Sequence, residues 1–209
     1  MTSWLTIEST RHQVAIAGQV RDARTGQPIP RARVQISAGP AEFQQRLALH
    51  AQQHGDRWEQ MAERLDRAWT RSDGRFHFLD LPDGDYSLGF SLPLAGSRYG
   101  QAQTTAAVAR NPAGDVTMAA VDVTLAPTGV EGRVTAANSG DPIVLGRLRL
   151  AGSGEIAFSN GDGRYELLAV EVGNRRLSAQ ALGYAVLSQP VSLTTAGQIK
   201  ALDFVLVPE

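Results

Sequence analysis

The sequence predicts a mainly β fold, two tandem β-sandwiches with one helical insertion in the first, and three observations carry that prediction. The chain states its pattern twice. Ala17-Gly18-Gln19-Val20, Thr25-Gly26-Gln27-Pro28-Ile29 and Val34-Gln35-Ile36 return as Glu131-Gly132-Arg133-Val134, Ser139-Gly140-Asp141-Pro142-Ile143 and Leu148-Arg149-Leu150. Gly132 stands 114 residues after Gly18, as Pro142 does after Pro28 and Leu150 after Ile36. A second block, Ser72-Asp73-Gly74-Arg75-Phe76-His77-Phe78, returns as Gly161-Asp162-Gly163-Arg164-Tyr165-Glu166-Leu167 at an offset of 89. A third closes each copy, Val121 to Pro127 and then Leu202 to Pro208. Self-similarity of this kind marks a repeated structural unit. The other two observations are period-two alternation within the blocks and closely spaced Gly/Pro turn signals, the pattern of an all-β sandwich.

Taken in order, residues 1–12 form an N-terminal arm. Val14 to Val20 alternates with apolar residues at even positions, which predicts a strand with one buried face. Thr25-Gly26-Gln27-Pro28 and Ser139-Gly140-Asp141-Pro142 are turns, because Gly accepts positive φ and Pro fixes φ while removing a donor. Alternating strands follow at Ala32, Val34 and Ile36 and at Leu148 and Leu150. Asp73-Gly74 and Asp162-Gly163 are hairpin turns feeding strands at Phe76/Phe78 and Tyr165/Leu167. Leu81-Pro82-Asp83-Gly84 and Val172-Gly173-Asn174 are turns before the strands at Tyr86, Leu88 and Phe90 and at Leu177 and Ala179. The predicted domains are 13–127 and 128–209, joined at Ala126-Pro127-Thr128-Gly129.

The drop in offset means the first copy holds 25 residues that the second lacks, between Pro40 and Trp69. Phe43, Leu47, Ala51, His54, Trp58, Met61, Leu65 and Ala68 recur there in steps of three and four, which predicts an amphipathic helix over about 41–68. Pro40 suits its start. Gly55-Asp56 either ends one helix and caps the next or is a weak point in a single one, and a helical hairpin is also compatible. The apolar stripe either packs on its own sandwich or docks a partner. The candidate partner-binding residues are Phe43, Leu47, Trp58, Met61, Leu65 and Trp69, with Tyr99 from the loop that carries Leu92 and Leu94.

Composition narrows the function classes. The chain has 209 residues, 43% hydrophobic and 20% charged, with a net charge of −1, so no overall field draws it to nucleic acid. Cysteine is absent, which removes disulfides, thiolate metal sites and a cysteine nucleophile. Residues 1–8 do not read as a secretory signal, and no apolar run is long enough to span a membrane; the expected location is cytoplasmic. The four histidines are His12, His50, His54 and His77. His50 and His54 have metal-sharing i,i+4 spacing, but Ala51 stands where a zinc protease has its glutamate and no third ligand emerges. His77, between Phe76 and Phe78, is expected to face solvent. The acidic turns lack an EF-hand ligand set, and Ser72 and Ser159 lack a Gly-x-Ser-x-Gly context. No catalytic residue, cofactor or metal is expected.

The pattern Gly-x-Val, Thr-Gly-x-Pro-Ile, Ala-x-Val, Asp-Gly-x-Phe-x-Phe, Leu-Pro-x-Gly-x-Tyr resembles the carboxypeptidase regulatory-like domain, of the seven-stranded transthyretin-like (prealbumin-like) sandwiches. The first copy carries it well. The second departs at Leu145-Gly146-Arg147, where the first has Arg31-Ala32-Arg33, and at Val170 to Gly173. The resemblance implies a non-catalytic attachment or binding module. Some enzymes share the fold that the resemblance implies, but the terminal Tyr-Arg-Gly-Ser of the hydroxyisourate hydrolases and the His/Tyr iron set of the intradiol dioxygenases have no counterpart here. Related domains occur as appendages on phage-tail-like and contractile injection particles. The expected role is therefore a structural or adaptor protein docking other protein subunits; the alternative is a carbohydrate- or cell-envelope-binding module.

Overall fold

The computed structural model describes residues 12–61 and 64–209, so the predicted N-terminal arm lies outside the described residues apart from His12. The protein is mainly β. The first copy contributes β1 (Val14–Asp22), β2 (Arg33–Ala38), β3 (Arg67–Trp69), β4 (Arg75–Leu79), β5 (Gly84–Ser91), β6 (Ala102–Arg110), β7 (Val116–Thr117), β8 (Ala119–Ala120) and β9 (Val123–Leu125). Its sheets run β4-β1-β8, with β9 also on β1, and β3-β2-β5-β6-β7. The second copy contributes β10 (Gly129–Ala136), β11 (Arg147–Leu150), β12 (Ile156–Phe158), β13 (Arg164–Leu168), β14 (Gly173–Gln180), β15 (Leu187–Leu193), β16 (Ile199–Ala201) and β17 (Phe204–Leu206). Its sheets run β13-β10-β16, with β17 also on β10, and β12-β11-β14-β15. Strand order thus matches between copies, except that β7 extends the second sheet of the first copy. Each copy has its own apolar core, for example Ile16, Val34, Tyr86, Leu88 and Phe90 in the first and Val134, Leu148, Tyr165, Leu177 and Phe204 in the second.

The chain divides into two compact units. One holds the described residues up to Val20, Pro28–Gly89 and Gln103–Val123; the other holds Arg21–Gln27, Phe90–Ala102 and Thr124–Glu209. Backbone bonds bind the borrowed segments into the second unit: Ala23 N–H donates to Leu125 O (3.0 Å) and Gly100 N–H to Ala126 O (2.9 Å).

Local devices recur at the sequence offsets. Thr70 Oγ donates to Ile29 O (2.7 Å) and accepts from Ala32 N–H (2.8 Å). Ser159 Oγ donates to Ile143 O (2.6 Å) and accepts from Gly146 N–H (2.8 Å). Each hydroxyl clips the turn before β2 or β11 to the edge strand that follows. The clip holds a non-glycine residue at positive φ in both copies, Arg31 at 56° and Leu145 at 58°, a region that L side chains rarely occupy. Gly18 and Gly132 mark a close approach: a Cβ there would lie 1.7 Å from Val121 O and 2.0 Å from Leu202 O.

Two predicted elements are corrected. The alternation over Val14 to Val20 breaks at a register shift between Val14 and Ile16, so Val14 is exposed while Ala15 and Ile16 are both buried. The helix does not reach residue 68. Helix α1 (Ala41–His54) ends at Gly55, whose φ is 53°, and a 3-10 turn continues over Gly55–Gln60. Leu65 and Ala68 keep the helical spacing, but Arg67–Trp69 pair with β2 instead, Arg33 opposite Trp69 and Gln35 opposite Arg67. Ile36 N–H also donates to Asp66 O (2.8 Å). Ladder bonds and tertiary packing override a one-turn periodicity.

Candidate functional site

The insertion residues fall into separate environments. Phe43, 2% exposed, meets the Tyr86 ring edge-on with centroids 5.4 Å apart, so the start of α1 closes its own core. Trp58, 8% exposed, lies under the Arg64 guanidinium at 4.2 Å and beside the His54 ring. Arg64 is fixed by Asp66 (2.8 Å) and Glu59 (2.9 Å). Burial works against its charge, yet those carboxylates hold its pKa above the usual value. Met61 and Leu65 line a shallow hollow with His50, His54, Trp58 and Arg64, about 280 Å³ in volume. Leu47 is half-buried, and Trp69 lies on the outer side of edge strand β3. The structure therefore brings Trp58, Met61 and Leu65 together, while the two most buried stripe residues, Phe43 and Trp58, are committed to the chain's own packing.

Tyr99 belongs to the second unit and is half-buried. Its hydroxyl donates to Asp22 Oδ2 (2.7 Å), and burial together with that carboxylate pushes its pKa up to about 12. Burial pushes the Asp22 carboxyl up, but the Thr25 backbone N–H, the Tyr99 hydroxyl and the Arg24 N–H outweigh it and leave it below the usual carboxylate range. Arg24, beside them, ion-pairs with Glu131 and Glu166. These groups hold a turn in place.

The polar residues considered for chemistry have structural partners. Ser159 is spent in its clip. Asn160 Oδ1 accepts from Asp162 and Arg164 N–H groups, and Asp73 Oδ1 from Arg75 N–H (3.0 Å), as Asx turns do. His77 is exposed, as expected. His50 and His54 stack with centroids 6.4 Å apart; among the described residues no group of three His, Asp or Glu side chains converges to hold a metal.

The second unit carries a surface that sequence reasoning missed. Ile143, Val144, Leu145, Ala181, Leu182 and Tyr184 line an open groove of about 410 Å³. Leu145 is 73% exposed and Leu182 is fully exposed. Tyr184 pairs with Pro208 as Tyr99 pairs with Pro127, which sets the register between copies. At the offset of 114 the first copy has Pro30 for Val144 and Arg31 for Leu145, whereas the loop that carries Leu182 has three residues (181–183) where the first copy has seven (92–98). The backbone at Leu145 is shared down to the strained φ, so an apolar side chain there is not a demand of the fold. Its signal in the sequence is the departure from the repeat at Leu145-Gly146-Arg147.

These features define a tandem β-sandwich protein whose candidate sites are surfaces rather than a reaction centre. The chain belongs to the carboxypeptidase regulatory-like domain family, whose model matches residues 15–126 and 129–207. Among curated proteins, no sequence matches it. Among solved structures, the shaft pilin SpaA of Lactobacillus rhamnosus GG is similar over 96% of this chain and 98% of that one, at 10% identity and a TM-score of 0.45. The minor pilin GBS52 of Streptococcus agalactiae is similar over 96% and 97%, at 12% identity and a TM-score of 0.33. The Bacillus anthracis TIE protein is similar over 94% of this chain, at 12% identity and a TM-score of 0.32, and this chain spans 34% of its length. No helix among the described residues is long and apolar enough to cross a membrane.

Proposed function

We propose that the protein is a non-catalytic structural or adaptor subunit that docks onto other protein subunits of a larger assembly. The observation that carries this reading is the open apolar groove at Val144, Leu145 and Leu182, where the first copy has Pro30 and Arg31 in place of the first two. Exposed apolar patches of this kind mark interaction sites in soluble proteins. The assembly we have in mind is a phage-tail-like or contractile injection particle, the setting that the family resemblance brings forward. We assign the domains to 13–127 and 128–209, each a seven-stranded transthyretin-like sandwich in which β8 with β9, or β16 with β17, counts as one broken strand and the short β7 is an addition to the first copy's sheet edge. Matching strand orders support that assignment.

Of the partner-binding candidates in the insertion, Met61 and Leu65, which line the shallow hollow, are the secondary contacts. A carbohydrate or cell-envelope ligand is the second reading. It is favoured by exposed aromatics at matching positions of the two copies, Trp69 and Phe158.

The test makes the groove polar with Leu145→Arg, the first copy's residue, and Leu182→Ser, in the full chain expressed in its own host. The double variant is expected to melt within a few degrees of wild type and to lose a subunit that co-purifies stoichiometrically with wild type. Undiminished stoichiometric co-purification by the variant refutes groove docking.

A further inference from the structure

We propose that the open edge of β12 in the second unit binds an extended, acidic segment of another protein by strand addition. β12 ends the order β12-β11-β14-β15, and among the described residues it pairs with β11 alone. Leu150 N–H donates to Glu155 O (3.0 Å) and Ser159 N–H to Gly146 O (2.9 Å), so the odd-numbered residues aim their backbone groups at β11. Antiparallel ladders alternate. Ile156 and Phe158 therefore turn their N–H and C=O groups to the open edge, a ready template for a further strand. The same residues expose their side chains, Ile156 by 42% and Phe158 by 58%.

Charge identifies the occupant. Arg149 lies opposite Ile156 and Arg147 opposite Phe158. Arg176 on β14 follows on that face, two residues before Ser178, the partner of Arg149. All three arginines are exposed, and among the described residues none is in an ion pair. Glu155, the acid beside the strand, is taken up by Arg98 at 3.1 Å. Edge-to-edge pairing of two copies of this chain would hold two sets of arginines three strand spacings apart, about 14 Å, with no acid between them, whereas an acidic strand answers one set directly, so a second copy is the poorer occupant. A strand added at β12 lies about 10 Å from β11, two strand spacings, and a glutamate on its outer face spans that gap together with an arginine. The outward N–H and C=O groups of Ile156 and Phe158 recur at ladder spacing, which a polypeptide backbone matches and a nucleic acid or glycan does not. The equivalent face of the first copy keeps Arg33 for Arg147 but has Gln35 for Arg149 and Ser87 for Arg176, and its Arg67, in the place of Ile156, ion-pairs with Glu59, so two of the three free charges are not required by the sandwich.

This edge is separate from the apolar groove, and the two are read by different variants. The test uses the full chain and fluorescent short peptides that alternate Glu, Gln or Lys with Val. The Glu peptide is expected to bind, to weaken as salt rises, and to lose about tenfold or more in affinity to Arg147→Glu with Arg149→Glu. N-methylation of alternate residues of the peptide is expected to abolish binding, a result that leaves the protein untouched. Ile156→Pro should bind less than Ile156→Ala, since only proline removes the outward N–H. Failure of the Glu peptide to bind, equal binding of the Lys peptide, full binding of the N-methylated peptide, or stronger capture of heparin or single-stranded DNA would each overturn the proposal. A Phe158-dependent dimer in light scattering would overturn it as well.

Discussion

Ser159→Ala removes one oxygen and cuts two hydrogen bonds at a side chain that is 1% exposed. The hydroxyl donates to Ile143 O (2.6 Å) and accepts from Gly146 N–H (2.8 Å), and both backbone partners are buried. Alanine fits the space, so the loss is in polar satisfaction rather than in packing. A buried polar group left without a partner costs about 1–3 kcal/mol, which puts the expected loss at about 2–4 kcal/mol for the pair. For a unit of roughly a hundred residues, each kcal/mol moves the melting temperature by about 4–8 °C. Urea unfolding followed by circular dichroism gives the midpoint and slope. A lower midpoint at unchanged slope is the expected result. Ser159→Thr imports the first copy's solution at Thr70 and should cost less than about 1 kcal/mol, and exposed Ser153→Ala should change nothing beyond about 0.5 kcal/mol. The clip account is refuted if Ser159→Ala costs less than that control threshold, or if Ser159→Thr is as damaging as Ser159→Ala.

Phe43→Ala should destabilise by about 3–5 kcal/mol, because Phe43 closes its own core against Tyr86; a change within about 0.5 kcal/mol would mean that its burial in the chain contributes nothing. Asp22→Asn tests a pH dependence whose sign is fixed by the depressed carboxyl. Its contribution is present above the ordinary carboxylate value of about 4 and is lost as pH falls through the lower folded value. Wild type should therefore exceed the variant in stability at neutral pH and converge with it in acid, as read by urea midpoints across pH. In the same variant Tyr99 should titrate below its raised value of about 12, as seen by ultraviolet absorbance.

The two-copy plan, the alternating strands and the DG hairpins were legible because each rests on local chemistry repeated at a fixed offset. The helix was legible to Gln60 and not beyond, since Leu65 and Ala68 continue its spacing while Arg67–Trp69 answer to β2, a partner far away in sequence. The bulge at Val14 was hidden for the same reason: alternation describes a strand by itself, and a register shift belongs to a pair. Ser159 was considered as a nucleophile and set aside for lack of context. Its positive role follows only when Thr70 is set against it at the offset of 89, a match of two hydroxyls that a scan for apolar blocks passes over. Candidate partner residues were chosen for size and aromaticity. Those same properties bury Phe43 and Trp58, so the criterion that selects interface residues also selects core residues.

Duplication supplies the control that a single domain lacks. Arg31 and Leu145 share a strained φ, Thr70 and Ser159 share a clip, and Gly18 and Gly132 share a contact too close for a Cβ. Each is a device that the sandwich needs, and each is kept while most surrounding side chains change. Where backbone is held in common and chemistry is not, the fold cannot be the cause of the difference. Arg31 against Leu145 sets a charged residue against an apolar one at the same φ. On the sheet face Arg33 matches Arg147, while Gln35 against Arg149 and Ser87 against Arg176 leave the second copy with the two added charges. Both differences fall on the second copy, beside or along β11 and β12. The insertion, by contrast, spends Phe43 and Trp58 on the first copy's own packing. Binding is therefore expected to survive changes at Met61 and Leu65 better than changes at Leu145, Leu182 or Arg149. Measuring partner retention across those five single variants ranks the two surfaces directly; a greater loss at Met61 and Leu65 would return the docking role to the helix.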